Sequence, residues 1–114
     1  MKPIFWVGSS KRDLKRFPDR VRRAIGRELQ RVQFGGTPHS VKVLRGFGGA
    51  GVLEIVEDHD GDTYRAVYTV RLVSAVYVLH IFQKKSNKGG ETPRHDIELI
   101  RQRLAEAERI HRSR

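Results

Sequence analysis

The fold is decided by residues 52–83, which read VLEIVEDHDGDTYRAVYTVRLVSAVYVLHIFQ. The dipeptide Asp60-Gly61 is a strong signal for a tight hairpin turn. Strand-forming residues lie on either side of it, at 52–57 and 63–72. A third strand is predicted at 75–83 after a short connection. Three consecutive strands of this kind predict an antiparallel meander.

Side-chain alternation distinguishes the two faces of this predicted sheet. In the second strand Tyr64 and Tyr68 lie on one face and Arg65 lies on the other, because successive side chains of a strand point to opposite sides. The third strand is apolar on both faces, which is typical of a central strand that is buried on both sides.

Helices are predicted before and after the meander. They are a short helix from Ser9 or Ser10 to about Phe17, a longer one from Pro18 to about Phe34, and a last one that Thr92 caps, with Pro93 in its first turn, running to about Arg112. A short strand at 4–7 precedes them. Residues 37–51, which end in the run GFGGAG, are predicted to be an irregular, flexible connection into the sheet. The order βααβββα predicts an α+β fold with one domain over residues 1–114. In it, an N-terminal helical hairpin and a C-terminal helix pack at one end or face of a small antiparallel sheet.

Composition limits the chemistry that is open to the chain. A length of 114 residues is that of one domain. The absence of cysteine excludes disulfides, cysteine-ligated zinc, iron–sulfur clusters and thiol nucleophiles. No two histidines have the i, i+4 spacing of a helical metal site, so neither a metal nor another cofactor is predicted. The apolar run Ile4–Val7 is too short for a signal peptide or a membrane span, which predicts a cytoplasmic protein without a membrane partner.

The chain is strongly basic. It holds 23 Lys and Arg against 13 Asp and Glu, a formal net charge of +10. A field of this sign draws nucleic acid or acidic proteins, although a soluble basic domain without such a partner is the alternative.

Four arginines form a stripe on the second predicted helix: Arg20, Arg23, Arg27 and Arg31. They lie roughly opposite an apolar stripe made of Val21, Ile25, Leu29 and Val32. Only Glu28 lies near them, and like charges at this spacing repel one another. The arginine stripe is therefore either a solvated helix face or a surface for a phosphate backbone or an acidic partner.

Basic residues also end the third strand of the meander. Lys84 and Lys85 follow its apolar run, and Arg65 lies in the neighbouring strand, so that these cations can share one concave surface. The alternative is that the lysines only protect a sheet edge. His80, in the same strand, is either a satisfied, partly buried histidine or a general acid or base beside Lys84.

These strands resemble the RelE/ParE toxin superfamily, and within it the HigB-like, phage-derived branch. The resemblance is carried by the runs VLEI at 52–55, TYRAVY at 63–68 and VYVLHIFQKKS at 76–86, followed by Thr92-Pro93. The motif Tyr-Arg-x-x-Tyr, followed by Leu-His-x-Phe-x-Lys-Lys-Ser, is fairly specific for the branch. The fold that it implies is RelE-like, a compact antiparallel sheet with helices packed on it.

The resemblance implies a toxin of a type II toxin–antitoxin system. RelE-like members cut messenger RNA on the ribosome without a metal, and the HigB-like ones are commonly neutralised by a helix-turn-helix antitoxin that is encoded alongside. ParE-like members instead inhibit DNA gyrase, as binding proteins rather than enzymes. A nucleic-acid-binding module without toxicity is the third interpretation.

The resemblance also suggests roles for individual residues. Arg65 is expected to hold the scissile phosphate, Lys84 or Lys85 to transfer a proton or stabilise charge, and His80 to be the substitute acid. Three further cations, Lys42, Arg45 and Arg71, are predicted to bind RNA. The arginine stripe is the predicted face for the antitoxin or a phosphate backbone.

Overall fold

The computed structural model describes residues 1–48, 51–85 and 92–114. Its elements are β1 (Ile4–Trp6), α1 (Ser10–Lys15), α2 (Asp19–Gln33), β2 (Val41–Val43), β3 (Val52–His59), β4 (Asp62–Thr69), β5 (Val76–Lys85) and α3 (Arg94–Arg112). The five strands form one sheet in the order β1-β5-β4-β3-β2. This arrangement confirms the predicted α+β class.

The meander of β3, β4 and β5 is antiparallel throughout, as predicted. Asp60 and Gly61 connect β3 to β4, and both have positive φ angles, 51° and 82°. Such angles are what the two central residues of a type I′ turn require. The turn fixes the register, in which Arg65 lies between Val56 on β3 and Phe82 on β5.

Two features of the sheet differ from the prediction. β1 runs parallel to β5, so the sheet is mixed rather than purely antiparallel. β2 pairs with β3 inside the segment that was predicted to be irregular. Three residues are too few for alternation to indicate a strand, and their pairing with β3 decides their conformation. Within the run GFGGAG, residues 49 and 50 lie outside the described part of the chain.

The helices cover both faces of the sheet, whereas the prediction placed them at one end or face. Residues of α1 and α2 pack with those of the strands in one core cluster, which includes Ile25, Leu29, Tyr64 and Tyr68. Residues of α3 pack with the opposite face of the sheet in a second cluster, which includes Ile100 and Leu104. The second helical layer is needed because β4 and β5 are apolar on both faces, and either face left open would expose a core-sized apolar surface.

The predicted apolar face of α2 is confirmed. Val21, Ile25, Leu29 and Val32 are all buried against the sheet. The arginine stripe consequently faces away from the core, since it lies on the other side of the helix.

Candidate functional site

A cleft of about 620 Å³ opens on the α3 side of the sheet. The described residues that line it are Lys42, Val43, Leu44, Arg45, Glu54, Thr92 and Ile97. β2 brings Lys42 directly across from Glu54 on β3, so that both side chains lie on this face. The side chains of Lys42 and Arg45 are exposed, whereas Glu54 is buried. The cleft thus has cations at its mouth and a carboxylate inside.

Glu54 forms a buried ion pair with Arg65. Arg65 Nη1 donates to Glu54 Oε1 at 2.9 Å, and the two side chains are only 5% and 1% exposed. The other carboxylate oxygen, Oε2, accepts a hydrogen bond from the Thr92 hydroxyl at 3.1 Å. The guanidinium that was predicted to hold a phosphate is therefore held by a carboxylate in this structure. Such pairs are stable only while both partners are present.

Thr92 does not cap α3 as predicted. The helix begins at Arg94, and its N-cap residue is Pro93, which makes no side-chain capping hydrogen bond. The Thr92 hydroxyl is directed to Glu54 instead. Thr92 thereby connects the entry of α3 to the ion pair on the sheet.

Lys84 lies on the same face as Arg65. Lys84 pairs with Thr63, and Phe82 pairs with Arg65. Because side chains two residues apart on a strand point to the same face, Lys84 lies on the face of Arg65. Lys84 is half-buried. Lys85 pairs with Asp62 in the backbone register. Residues 86–91, which include Ser86 of the family motif, lie outside the described residues.

His80 is buried and uses both ring nitrogens. Its Nε2 lies 2.7 Å from Oδ1 of Asp96 on α3, and its Nδ1 lies 3.5 Å from Nη1 of Arg103. Because a guanidinium can only donate, Nδ1 is assigned as the acceptor and Nε2 as the donor to Asp96, which defines a neutral tautomer. Burial lowers the pKa of His80, and this outweighs the raising effect of Asp96. The ring also stacks on Phe82. This environment matches the satisfied histidine of the two predicted alternatives.

A bulge in β5 places His80 on the α3 side. Val67 pairs with His80, and the next residue of β4 pairs with Val78, so that Leu79 is the extra residue. The Leu79 carbonyl accepts a hydrogen bond from Arg103 at 3.1 Å. Leu79 itself belongs to the core cluster under α3. The bulge thus directs two consecutive residues of β5 to the helix.

The sequence interpretation missed Glu54, Asp96 and Arg103. Asp96 and Arg103 are seven residues apart, close to two helical turns, and flank the apolar positions of α3. This spacing is the one signal that could have placed both on the buried side of the helix. Glu54 interrupts an apolar strand, which is a signal for a buried carboxylate with a partner.

The three cations that were predicted to bind RNA do not lie together in the structure. Lys42 and Arg45 line the cleft. Arg71 is exposed after the end of β4 and lies 3.7 Å from Glu108 of α3. Glu108 is 11 residues beyond the cleft residue Ile97, about 16 Å along the helix. The structure does not bring Arg71 to the cleft.

The arginine stripe lies on the opposite side of the sheet from the cleft. All four arginines are exposed, and Arg31 Nε lies 3.1 Å from the buried Glu28. Glu28 also accepts a hydrogen bond from the His39 backbone N–H at 2.5 Å. Burial raises the pKa of Glu28, but the hydrogen bonds from His39 and Arg31 outweigh it and the pKa is lowered. Within the described ranges, the side chains of Arg20 and Arg23 form neither a hydrogen bond nor an ion pair.

Beside this stripe, a shallower depression of about 530 Å³ lies at the end of α2. It is lined by Arg27, Gln30, Arg31, Phe34 and Gly36. Phe34 is 69% exposed, which is unusual for a phenylalanine. The stripe therefore ends at an exposed apolar side chain next to two guanidinium groups.

Across the three described segments, no group of three or more His, Asp or Glu side chains could hold a metal ion. Nor does any helix in those segments have the length and apolar character needed to cross a membrane.

Comparison with protein families gives one match. A family model described as "Phage derived protein Gp49-like (DUF891)" matches residues 12–105, from α1 into α3. No curated protein and no solved structure matches the chain significantly. The matched range includes the meander, the cleft, the buried pair of Glu54 and Arg65 and the arginine stripe. The chain therefore belongs to the Gp49-like family of phage-derived proteins, which is a RelE/toxin-like family.

Proposed function

We propose that this protein is the toxin of a type II toxin–antitoxin system of the HigB-like branch. In this proposal it acts in the cytoplasm as a metal-independent, ribosome-dependent messenger RNA endoribonuclease that inhibits translation. The observation that carries the proposal is the cleft on the α3 side. Lys42 and Arg45 stand at its mouth, and the buried Arg65 is bonded to Glu54 of its lining, in a chain of a RelE/toxin-like family.

The size and charge of the cleft suit a nucleotide unit of RNA. Its volume of about 620 Å³ lies within the range of pockets that hold small molecules. In this proposal Lys42 and Arg45, which are exposed at the cleft, bind backbone phosphates next to the scissile bond. Such contacts set the position of the RNA without reading its sequence.

The reaction is a transesterification within the RNA. The 2′-oxygen forms a bond to the adjacent phosphorus, the bond from phosphorus to the 5′-oxygen breaks, and the products are a 2′,3′-cyclic phosphate and a free 5′-hydroxyl. A base takes the 2′-hydroxyl proton, an acid gives one to the 5′-oxygen, and cations stabilise the phosphorane. We assign phosphorane stabilisation to Arg65, and proton transfer or further charge stabilisation to Lys84 or Lys85.

The ribosome supplies the orientation that this small site lacks. Holding the 2′-oxygen in line with the leaving oxygen is worth about 7–11 kcal/mol in well-oriented reactions. Lys42 and Arg45 at an open cleft mouth do not by themselves impose that orientation on a flexible RNA. Messenger RNA that is held on the ribosome enters the cleft already ordered.

The arginine stripe of α2 is the proposed surface for the antitoxin, a helix-turn-helix protein encoded alongside. Arg20 and Arg23 are exposed, and the stripe ends at the exposed Phe34. A partner segment with carboxylates along it and one apolar side chain at its end would match this surface. The sheet separates the stripe from the cleft.

A charge-reversal experiment tests this surface. The antitoxin is co-expressed with the chain, and binding is measured for Arg23→Glu and for Arg109→Glu, a cation at the far end of α3. The first change is expected to weaken binding at least tenfold, and the second to leave it within about twofold. Equal binding by both variants would move the antitoxin to another surface.

Cell-free bacterial translation tests the reaction. A reporter message is mapped by primer extension with and without ribosomes, using the wild type, Arg65→Gln, Lys84→Ala and the control Arg109→Ala. We expect cuts that require translating ribosomes, that are absent with the first two variants and that persist with the control. Cuts in naked RNA would remove the ribosome from the proposal. An intact message with normal translation would contradict the ribonuclease, and a DNA gyrase supercoiling assay would then test the ParE-like alternative.

A further inference from the structure

The Glu54 carboxylate lines the cleft next to Arg65. The proposed reaction needs the scissile phosphate of the RNA at this same place. Glu54 and Thr92 line the cleft, whereas Arg65 is not among the described residues that do so. An anion that passes Lys42 and Arg45 therefore meets Glu54 first. The guanidinium lies behind that carboxylate, 2.9 Å from it.

A phosphate cannot bind beside Arg65 at a low cost in free energy while the Glu54 carboxylate is still there. Glu54 is 1% exposed, so its charge is poorly screened by water, and a phosphate beside it would be repelled strongly. Arg65 is 5% exposed, and taking away the carboxylate that it bonds at 2.9 Å without replacing it would leave a buried charge less well compensated. A phosphate that replaces the carboxylate avoids the repulsion and also keeps an anion next to Arg65.

We propose that Glu54 is an internal counter-anion that occupies the phosphate position beside Arg65, and that a backbone phosphate of RNA binds by replacing it. This inference rests on the proposed function, because it names the step by which the same cleft admits its substrate. Glu54 is a positioning residue: it acts through Arg65 and keeps the guanidinium ordered and paired until the phosphate arrives.

The contacts around Glu54 supply what this exchange requires. Lys42 stands directly across from Glu54 on β2, so the displaced carboxylate would remain next to a cation. Its second oxygen is held by the Thr92 hydroxyl, which follows the segment 86–91 and precedes α3. Thr92 thus restrains the carboxylate in the paired position, and loss of its hydroxyl should make replacement easier.

The test measures anion binding rather than cleavage. Two probes are used: inorganic phosphate at constant ionic strength, read as a shift in Tm, and a short single-stranded DNA, read by fluorescence anisotropy. The DNA has no 2′-hydroxyl and cannot be cut by the proposed chemistry. We expect Glu54→Gln to bind the DNA about tenfold more tightly than the wild type. This is the gain in affinity expected when the Arg65 guanidinium can donate a charged hydrogen bond to a phosphate of the DNA. The Tm of Glu54→Gln should rise when inorganic phosphate is added, whereas the Tm of the wild type should not change.

Two controls separate this effect from a change in net charge. Glu57→Gln makes the same charge change on the same strand, but its residue stands opposite Tyr64, whose side chain belongs to the core on the α2 side. Its affinity for DNA should stay within about twofold of the wild type. The double variant Glu54→Gln with Arg65→Gln should lose the gain, because the cation that receives the phosphate is gone.

Each outcome decides for or against the exchange. If Glu54→Gln folds and binds phosphate and DNA no better than Glu57→Gln, Glu54 has a purely structural role and the inference is wrong. If it does not fold, Thr92→Val gives the answer, since this variant keeps the ion pair and should bind DNA about two- to threefold more tightly. An unchanged affinity there overturns the inference.

The inference and the proposed function fail in different ways. Ribosome-dependent cuts that are lost with Arg65→Gln, without any gain in binding for Glu54→Gln, would leave the ribonuclease and remove the exchange. Tighter binding by Glu54→Gln, without cuts in the translation reaction, would leave an anion site with an internal counter-anion and remove the ribonuclease.

Discussion

His80 on β5 and Asp96 in the first turn of α3 are joined by a buried hydrogen bond of 2.7 Å between Nε2 and Oδ1. The bond connects the helix to the sheet on the face that also carries Arg65. Arg103, seven residues later, bonds the Leu79 carbonyl and lies at the other ring nitrogen of His80. The position of α3, which includes the cleft residue Ile97, therefore depends on polar contacts as well as on its apolar stripe.

Replacing Asp96 should destabilise the fold. Asp96→Ala leaves the N–H of a buried imidazole without its acceptor, which typically costs about 1–3 kcal/mol. The free energy of unfolding from urea titration at pH 7.5 measures the effect. Glu98→Ala is the matched control, because its carboxylate is two residues away on the same helix and is 63% exposed. Equal stabilities of the two variants would mean that the bond to His80 contributes nothing.

Protonation of His80 should weaken the fold. Burial lowers the pKa of His80 below its ordinary value, so that the unfolded chain binds the proton more readily than the folded one. Stability is therefore constant above about pH 6.5, the ordinary histidine pKa, and falls below it with a slope of at most about 1.4 kcal/mol per pH unit. Urea titrations between pH 5 and 8 on the wild type and on His80→Gln measure this. A smaller slope is expected for the variant, and the same slope in both would assign the dependence to other groups.

Much of the fold could be predicted because periodic patterns determine it. The alternation from Tyr64 to Val70 and the apolar stripe of α2 each repeat with the period of their element, and both faces are buried as expected. β2 has three residues and no period of its own. The parallel pairing of β1 depends on a partner that lies about 70 residues away in the sequence, between Ile4 and Val76, and no local pattern encodes it.

The candidate site was predicted less completely than the fold. The basic residues were found because charge and strand position are visible in the sequence. The buried contacts of Arg65 were not predicted, because they depend on Glu54 across the hairpin and on Thr92, which lies beyond residues 86–91. A lone acidic residue has no period, and its partner becomes known only when the strands are aligned in three dimensions.

Gly8 should not tolerate a side chain. Its φ angle is +58°, and a Cβ there would lie 2.6 Å from Nε of Arg103. Arg103 cannot move freely, because it donates to the Leu79 carbonyl and to the Ser9 hydroxyl. Gly8→Ala is expected to cost about 1–3 kcal/mol through the unfavourable backbone angle and the displaced guanidinium. Thermal and urea unfolding measure the loss.

A double-mutant cycle isolates the contact of Gly8 with Arg103. In an Arg103→Ala background the guanidinium is absent, and Gly8→Ala should then cost only the backbone term, about 1 kcal/mol. If the cost of Gly8→Ala is the same in both backgrounds, the backbone angle alone explains the glycine and the contact is unimportant.

The salt dependence of nucleic acid binding should show whether the cations at the cleft mouth contact phosphates. Each phosphate neutralised on a single strand contributes about 0.7 to the slope of log affinity against log salt concentration, so the double variant Lys42→Ala with Arg45→Ala should lower the slope by about 1.4. Fluorescence anisotropy with single-stranded DNA between 50 and 200 mM salt gives this slope. Arg109→Ala removes an exposed cation that pairs with Glu106 at the far end of α3, and its slope should equal that of the wild type. A slope that falls equally in both variants would indicate that binding depends on net charge alone, and one that is unchanged in the double variant would place the nucleic acid away from the cleft.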